Sequence, residues 1–307
     1  MSLKILFMGT PEFAVPVLKS VFESNHELLA VYTRPPKKKF RGQKIFNSPI
    51  HKCADDLKIP VKCPENINSK EIEYIKKLNP NVVIVVAYGL MIPENILNLS
   101  NILFINIHAS LLPKWRGAAP IQRAILNQDK ETGISIMKIE KELDSGPVMK
   151  TIKVKIDKET TYDSLSKKMS GLAASLIIEC LEILSKKNER FIPQDNSKAT
   201  YAKKIDKSEA QIRWKDKARD IIAKINAFYP NPGAWFELKG SRIKILKAIE
   251  VEKSGNPGEI IDNDFTIACS QNSVQILELK KEGKRSMSAN DFLKGNQQKI
   301  GSIINGS

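Results

Sequence analysis

Apolar and polar positions along the first half of the chain repeat one unit: a short apolar run, a turn, then an amphipathic stretch at helical spacing. Leu3 to Phe7 is such a run, closed by Gly9, and Leu28 to Tyr32 is the next. Between them Phe13, Val17, Leu18 and Val21 fall on one helical face, and Thr10, Pro11 and Glu12 offer an N-cap, a first-turn proline and a first-turn acid. Val82 to Ala87 is rich in β-branched residues, the composition of a central parallel strand covered on both faces. The pattern predicts helices over Ser48 to Leu57, Ser69 to Leu78 and Thr160 to Leu184, an extended piece at Pro60 to Cys63, and strands at Gly133 to Ile139 and Val148 to Ile156. Strands alternating with helices imply an α/β class with a doubly wound, Rossmann-like, mainly parallel sheet.

The pattern changes beyond a polar, proline-containing stretch from Lys186 to Lys207. A helix from Lys217 to Phe228 stops at a proline-rich turn. Short strands follow at Ala234 to Leu238, Arg242 to Ile249, Gly258 to Ile261, Phe265 to Ala268 and Val274 to Leu279. Such spacing predicts a smaller C-terminal β-barrel of OB-like type. The expected organisation is a catalytic domain over 1–189, a linker over 190–207 and a barrel domain over 208–307.

Composition sharpens this picture in three ways. At 307 residues the chain has room for two domains. Its 49 Lys and Arg outnumber 34 Asp and Glu, a net charge of +15, which favours a polyanionic partner, with nucleic acid first, although such a balance also serves solubility alone. The four cysteines lack metal-ligand or disulfide spacing, and no segment reads as a signal sequence or membrane span, so the expectation is a cytoplasmic protein with free thiols and no metal site. Charge is densest in RPPKKKFRGQK, from Arg34 to Lys44, where six basic residues surround Phe40. That loop reads either as a solvated charge run or as a contact for phosphates and an exposed base.

The candidate chemistry lies in FINIHASLLPKWRG, Phe104 to Gly117. Residues two apart on a strand share a face, so Asn106 and His108 point the same way, and Leu111, Leu112 and Pro113 follow as an apolar shelf. Two polar groups on one face are either satisfied within the core or delivered to a ligand. In open α/β sheets ligands bind beyond the strand C-termini, so this stretch and the Tyr88-Gly89-Leu90 turn are expected to line one crevice. A dinucleotide does not follow: only Gly9 matches the glycine fingerprint, and Tyr32-Thr33-Arg34 stands where its acid belongs.

These residues resemble the methionyl-tRNA formyltransferase family over almost the whole chain. The motifs are FMGTPEFAVP at Phe7 to Pro16, SPI at Ser48 to Ile50, VVAYGLMIP at Val85 to Pro93 and INIHASLLPKWRGAAPIQ at Ile105 to Gln122. ETGISIM at Glu131 to Met137, ELDSGPV at Glu142 to Val148 and AFYPNPGAW at Ala227 to Trp235 complete the set. The resemblance implies formyl transfer from 10-formyltetrahydrofolate to initiator methionyl-tRNA, with Asn106, His108 and Asp144 as the catalytic trio. It also implies folate contacts from Ser110, Leu111, Leu112 and Pro113, and a pterin bounded by Tyr88, Gly89, Leu90, Met91 and Ile92. Under it, Asn106 and His108 donate to the formyl oxygen and Asp144 orients His108.

The tRNA contacts expected on the loop are Lys38, Lys39, Arg41, Gly42 and Lys44, and those on the barrel Arg242, Lys244 and Lys247. Lys37 to Phe40 depart from the small residues common in the family's loop, and Asn226 stands where some relatives carry Arg, which shifts attention to Lys224. No metal is implied, no membrane partner, and a monomer is expected. The competing readings are a folate-dependent transferase acting on a small amine, a catalytically silent RNA-binding protein and, least supported, a nicotinamide oxidoreductase.

Overall fold

A computed structural model describes residues 1–39 and 44–304. The chain forms two compact units. The first comprises Met1–Pro120, Thr132–Val154 and Ser166–Ala202; the second comprises Ile121–Glu131, Lys155–Leu165 and the chain from Lys203 onward.

The strands through Ala202 are β1 (Lys4–Gly9), β2 (Glu27–Tyr32), β3 (Lys37–Lys39), β4 (Lys44–Phe46), β5 (Val61–Lys62), β6 (Val82–Val86), β7 (Leu103–His108), β8 (Arg116–Gly117), β9 (Glu131–Lys138), β10 (Val148–Lys155) and β11 (Tyr201–Ala202). The helices over the same stretch are α1 (Val15–Phe22), α2 (Pro49–Asp56), α3 (Ser69–Leu78), α4 (Glu94–Leu97), α5 (Pro120–Leu126) and α6 (Tyr162–Ser185). Seven strands make one sheet in the order β10-β9-β7-β6-β1-β2-β5. From β7 through to β5 the pairing is parallel, while β9 runs antiparallel to β7. Chain order reverses direction between β1 and β6, which makes their carboxyl ends the switch point where such sheets bind ligands.

All five residues of β6 are buried, as the apolar run predicts. On one face Leu6, Met8, Tyr32, Val83, Val85 and Phe104 pack with Ile72 and Ile75 of α3. Alternation turns Ile5, Phe7, Val31 and Ile84 to the other face, and these too are buried, so both sheet faces are covered.

Three details differ from the pattern. Thr10 caps no helix: its hydroxyl donates to the Tyr88 carbonyl at 2.8 Å, and a 3₁₀ turn at Glu12–Ala14 precedes α1. The Arg34 to Lys44 stretch folds in part as a short hairpin, with Lys38 opposite Ile45 and Lys39 opposite Lys44. Residues 190–202 belong to the first unit, where Tyr201 and Ala202 of β11 pair in parallel with Arg116 and Gly117 of β8.

In the second unit α7 (Ala218–Phe228) precedes a sheet of β12 (Trp235–Leu238), β13 (Ser241–Val251), β14 (Thr266–Ala268), β15 (Ser273–Lys281) and β16 (Met287–Ser288), followed by α8 (Ala289–Gly295). The antiparallel order is β12-β13-β15-β14 with β16 on β15, curled as a half-barrel. Register shifts at Ile245/Lys247 and Lys247/Ala248 bend the long β13, as bulges do. Trp214, Phe236, Phe265 and Phe292 form its aromatic core, with successive ring centroids 5.5, 6.5 and 5.8 Å apart. Gly258 to Ile261 makes isolated bridges to Ile303 and Ile267 in place of a full strand, and α8 was not anticipated.

Candidate active site

The residues of β7 deliver the site. Phe104, Ile105 and Ile107 are buried, its last residue is the buried His108, and Asn106 lies half-buried on the same face. Beyond the strand the chain turns through Ala109 to Trp115 and returns as β8. Two serines brace that turn from within. Buried Ser110 donates from Oγ to the Lys114 carbonyl at 2.5 Å. Ser135, opposite His108 on β9, donates to the Ser110 carbonyl at 2.7 Å and accepts from the Leu112 amide at 3.2 Å. The Ser110 hydroxyl is therefore committed to the turn, and Leu111, Leu112 and Pro113 remain as a half-buried apolar shelf around a cis Leu112–Pro113 bond.

Asp144 joins this strand end from the loop before β10. Its Oδ1 accepts from Asn106 Nδ2 at 3.1 Å, and its Oδ2 accepts from the Gly117 amide at 2.9 Å and lies 3.6 Å from His108 Nδ1. The other imidazole nitrogen, Nε2, meets the Trp115 carbonyl at 2.8 Å. A carbonyl only accepts, so Nε2 carries the hydrogen and Nδ1 is the atom facing the carboxylate. The three residues expected to act together are thus in contact. Donation from His108 to a formyl oxygen requires release of the Trp115 carbonyl, a constraint the sequence did not reveal.

Tyr88 to Ile92 follow β6 at the switch point. The Tyr88 ring is buried in the core with Leu6, Tyr32 and Ile72, and burial raises its phenol above the ordinary value. Its contribution to the crevice comes through backbone: its carbonyl receives Thr10, and the Gly89 carbonyl receives the Arg34 guanidinium. Met91, within the candidate pterin segment, and Leu143, next in sequence to Asp144, are large apolar side chains left 89% and 65% exposed.

Several residues not singled out from sequence support the site. Buried Arg116 donates to Gln194 and Asn196, Gln194 donates to the Asp144 and Gly146 carbonyls, and the Trp115 amide donates to Thr200 Oγ1 at 2.9 Å. Gln194, Asn196 and Thr200 were hidden because the strap that carries them is half-buried to exposed and polar in composition, like any surface linker, and only its side-chain partners set it apart.

Of the candidate tRNA contacts, Lys38, Lys39 and Lys44 lie on the β3–β4 hairpin, while Arg41 and Gly42 fall outside the described residues. On β13, Arg242 stacks over the Trp235 ring at 4.2 Å, Lys244 donates to the Pro232 carbonyl at 2.5 Å, and Lys247 is exposed. Arg242 and Lys244 join Lys280, Lys281, Tyr229 and Asn231 in lining a cleft of about 530 Å³. Lys224 donates to the Gln211 carbonyl and lies 3.6 Å from Asp216, and burial lowers its ammonium below the ordinary value, so it is committed within the unit. Among the described residues no group of His, Cys, Asp or Glu is arranged to hold a metal ion.

Residues 3–181 match the family model described as Formyl transferase, and residues 204–297 match the one described as Formyl transferase, C-terminal domain. A methionyl-tRNA formyltransferase of Pelagibacter ubique (strain HTCC1062) is 52% identical over 310 residues, spanning 100% of this chain and 98% of that protein. One from Parvibaculum lavamentivorans is 41% identical over 309 residues, spanning 98% and 100%. The chain belongs to the methionyl-tRNA formyltransferase family. Among solved structures, HypX from Aquifex aeolicus in complex with tetrahydrofolic acid is similar with a TM-score of 0.66 at 17% identity, covering 98% of this chain and 48% of that one. At that identity the likeness is one of fold. Asn106, His108 and Asp144 meet beyond the carboxyl end of β7, and the half-buried Leu111, Leu112 and Pro113 follow that strand in the turn after it.

Proposed function

We propose that this chain transfers the formyl group of 10-formyltetrahydrofolate to the amino group of initiator methionyl-tRNA, and that Asn106, His108 and Asp144 carry the step. The observation that supports the assignment is the convergence on one Asp144 carboxylate of the Asn106 amide, the Gly117 amide and the His108 ring, beyond the carboxyl end of β7.

In the reaction the methionyl nitrogen bonds to the formyl carbon, the bond from that carbon to N10 breaks, the amine gives up a proton and N10 gains one. Negative charge grows on the formyl oxygen meanwhile. Asn106 has two amide hydrogens, one given to Asp144, and the second is available to that oxygen as a preset donor. His108 and Asp144 are the proton carriers: a proton taken up at Nδ1 faces the carboxylate, while the Trp115 carbonyl holds the ring by Nε2. Leu111, Leu112 and Pro113 seat the folate ring, and backbone groups of Tyr88 to Ile92 meet its hydrogen-bonding edge.

For tRNA, the β3–β4 hairpin with Arg41 and Gly42 engages the acceptor end, and Arg242, Lys244 and Lys247 engage phosphates. The same reading places the protein in the cytoplasm as a monomer; among the described residues no helix is long and apolar enough to cross a membrane.

The test is formyl transfer from 10-formyltetrahydrofolate to initiator methionyl-tRNA, with uncharged tRNA, free methionine and the His108→Ala variant beside it. Transfer to the charged tRNA alone, lost in the variant, is the expected result. Transfer only to small amines would overturn the acceptor, and full activity in the variant would overturn the site.

A further inference from the structure

The side chain of Gln194 uses every hydrogen-bonding position it has on two parts of the site. Its Nε2 donates to the Asp144 carbonyl at 2.9 Å and to the Gly146 carbonyl at 2.7 Å. Its Oε1 accepts from Arg116 Nε at 3.1 Å and from Arg116 Nη2 at 2.7 Å, and the same Nη2 reaches Asn196 Oδ1 at 2.7 Å. Arg116 is only 3% exposed. Setting a buried guanidinium against neutral amides is costly, and its fold-level return is small. What the charge does supply is polarisation: a cation on Oε1 strengthens the two bonds that Nε2 donates.

Those two bonds act on a residue that needs holding. Asp144 has φ +49°, in the left-handed region that glycine enters freely and that Asp and Asn enter as single residues at some cost. Its carboxylate is gripped by the Asn106 and Gly117 amides, and its carbonyl by Gln194. Gly117 and Arg116 are neighbours, so one dipeptide fixes Asp144 from both ends, directly through the Gly117 amide and through Gln194 by the Arg116 side chain. The strap that carries Gln194 is itself pinned on either side: Ile192 exchanges backbone bonds of 2.8 and 2.9 Å with Val148, and Thr200 accepts from the Arg116 amide at 2.9 Å.

We propose that Gln194, polarised by Arg116, is a positioning residue that holds the Asp144 loop in the geometry formyl transfer requires. The inference rests on the function proposed above and adds a residue to it. Gln194→Glu separates this role from a structural one. The substituted side chain still accepts from Arg116, now with opposite charge, but presents an oxygen to two carbonyls where the amide presented hydrogens.

The experiment compares wild type, Gln194→Ala and Gln194→Glu in formylation of initiator methionyl-tRNA, with kcat expressed per folate-binding site so that unfolded protein is not counted. Both variants should lose kcat by about 10–100-fold, the scale of a misplacement near 1 Å, with KM for tRNA within about twofold. Hydrogen exchange at the Gly117 amide, which needs no turnover, should speed up by about 10-fold in Gln194→Glu, since a 1.4 kcal/mol weakening of its hold on Asp144 corresponds to that factor. Wild-type kcat in Gln194→Glu, or unchanged Gly117 exchange, would overturn the proposal and reduce Gln194 to a partner for Arg116. Failure of the wild type to formylate methionyl-tRNA would instead defeat the functional reading, leaving the exchange measurement to decide the positioning role.

Discussion

Asn106 donates to Asp144 across 3.1 Å, which commits one amide hydrogen, fixes the plane of the amide and leaves the second hydrogen directed by that plane. A donor oriented before substrate arrives costs no reorganisation during the reaction, which is what an oxyanion donor needs. Asn106→Ala should lower kcat by about 10²–10³, roughly 2.7–4 kcal/mol. Folate affinity should stay nearly unchanged, because the shelf is untouched. Single-turnover formylation beside a fluorescence titration with tetrahydrofolate checks both halves, and substantial turnover by the variant refutes the role.

Asp144→Asn removes the charge and puts an NH₂ group into a site whose neighbours, Asn106 Nδ2 and the Gly117 amide, are both donors. At most one oxygen remains to accept from them. The expected outcome is a kcat loss of about 10²–10⁴, the range for a proton carrier, with tRNA affinity preserved. Loss of tRNA affinity with normal kcat would show that Asp144 serves the acceptor rather than the proton.

Much of this architecture was legible because hydrophobic period maps directly onto buried faces. The VVIVV run is a fully buried central strand, and Ser69 to Leu78 is a helix with Asn68 as its cap. The alternation that put Asn106 and His108 on one face held because β7 is buried between β6 and β9. What escaped is long-range and polar. Thr10 has the credentials of an N-cap, yet its hydroxyl is captured by a carbonyl 78 positions away. Gln194 and Thr200 sit in a stretch whose composition matches any exposed linker, and only tertiary contacts show them beneath Asp144 and Trp115. Ser288 and Asp291 did carry a local signal for α8, a capping pair three residues apart, which the short helix behind them made easy to pass over.

Gly133 on β9 has no room for a side chain. A Cβ there would lie 2.2 Å from the Ile152 carbonyl and 2.5 Å from Leu111 Cδ2. Since the carbonyl belongs to a neighbouring strand, Gly133→Ala should cost about 1–3 kcal/mol through overpacking. It should also displace Leu111 from the shelf. The urea midpoint should fall with little change in slope, and KM for the folate should rise more than KM for tRNA. An unchanged midpoint would mean that β9 and β10 separate without cost.

Within the second unit Arg123 donates to both carboxylate oxygens of Glu209, at 2.6 and 3.0 Å. The guanidinium holds the Glu209 carboxyl below its usual range, with the Asp206 backbone amide adding to the effect. A depressed carboxylate contributes stability that is complete above the unfolded value, about 4.3, and is lost as pH falls through the lower folded value. Both side chains are partly exposed, so screening keeps the contribution to about 1 kcal/mol or less. Glu209→Gln should therefore be less stable than wild type at pH 7, and the gap should close as pH falls through the range below 4.3. A gap that persists at the lowest pH would place the effect in packing rather than in charge.

If the basic residues of β13 hold phosphates, their removal must appear in the salt dependence of tRNA binding and not only in its strength. Neutralising a phosphate releases condensed counterions, and each lost contact should flatten the plot of log K against log salt by about 0.7–0.9. Lys247 is exposed, so Lys247→Ala should give this signature with little structural cost. Arg242 is a different case because its guanidinium also covers the Trp235 ring at 4.2 Å. Arg242→Ala should flatten the slope by the same amount and also destabilise the unit by about 0.5–1 kcal/mol, the scale of an exposed cation–π contact. Arg242→Lys keeps the charge but replaces the planar group that stacks on the indole, so it should restore most of the slope and less of the stability. Folate binding should be the same in all three variants. A slope that does not move in any of them would remove β13 from the tRNA interface and leave the β3–β4 hairpin to account for the charge.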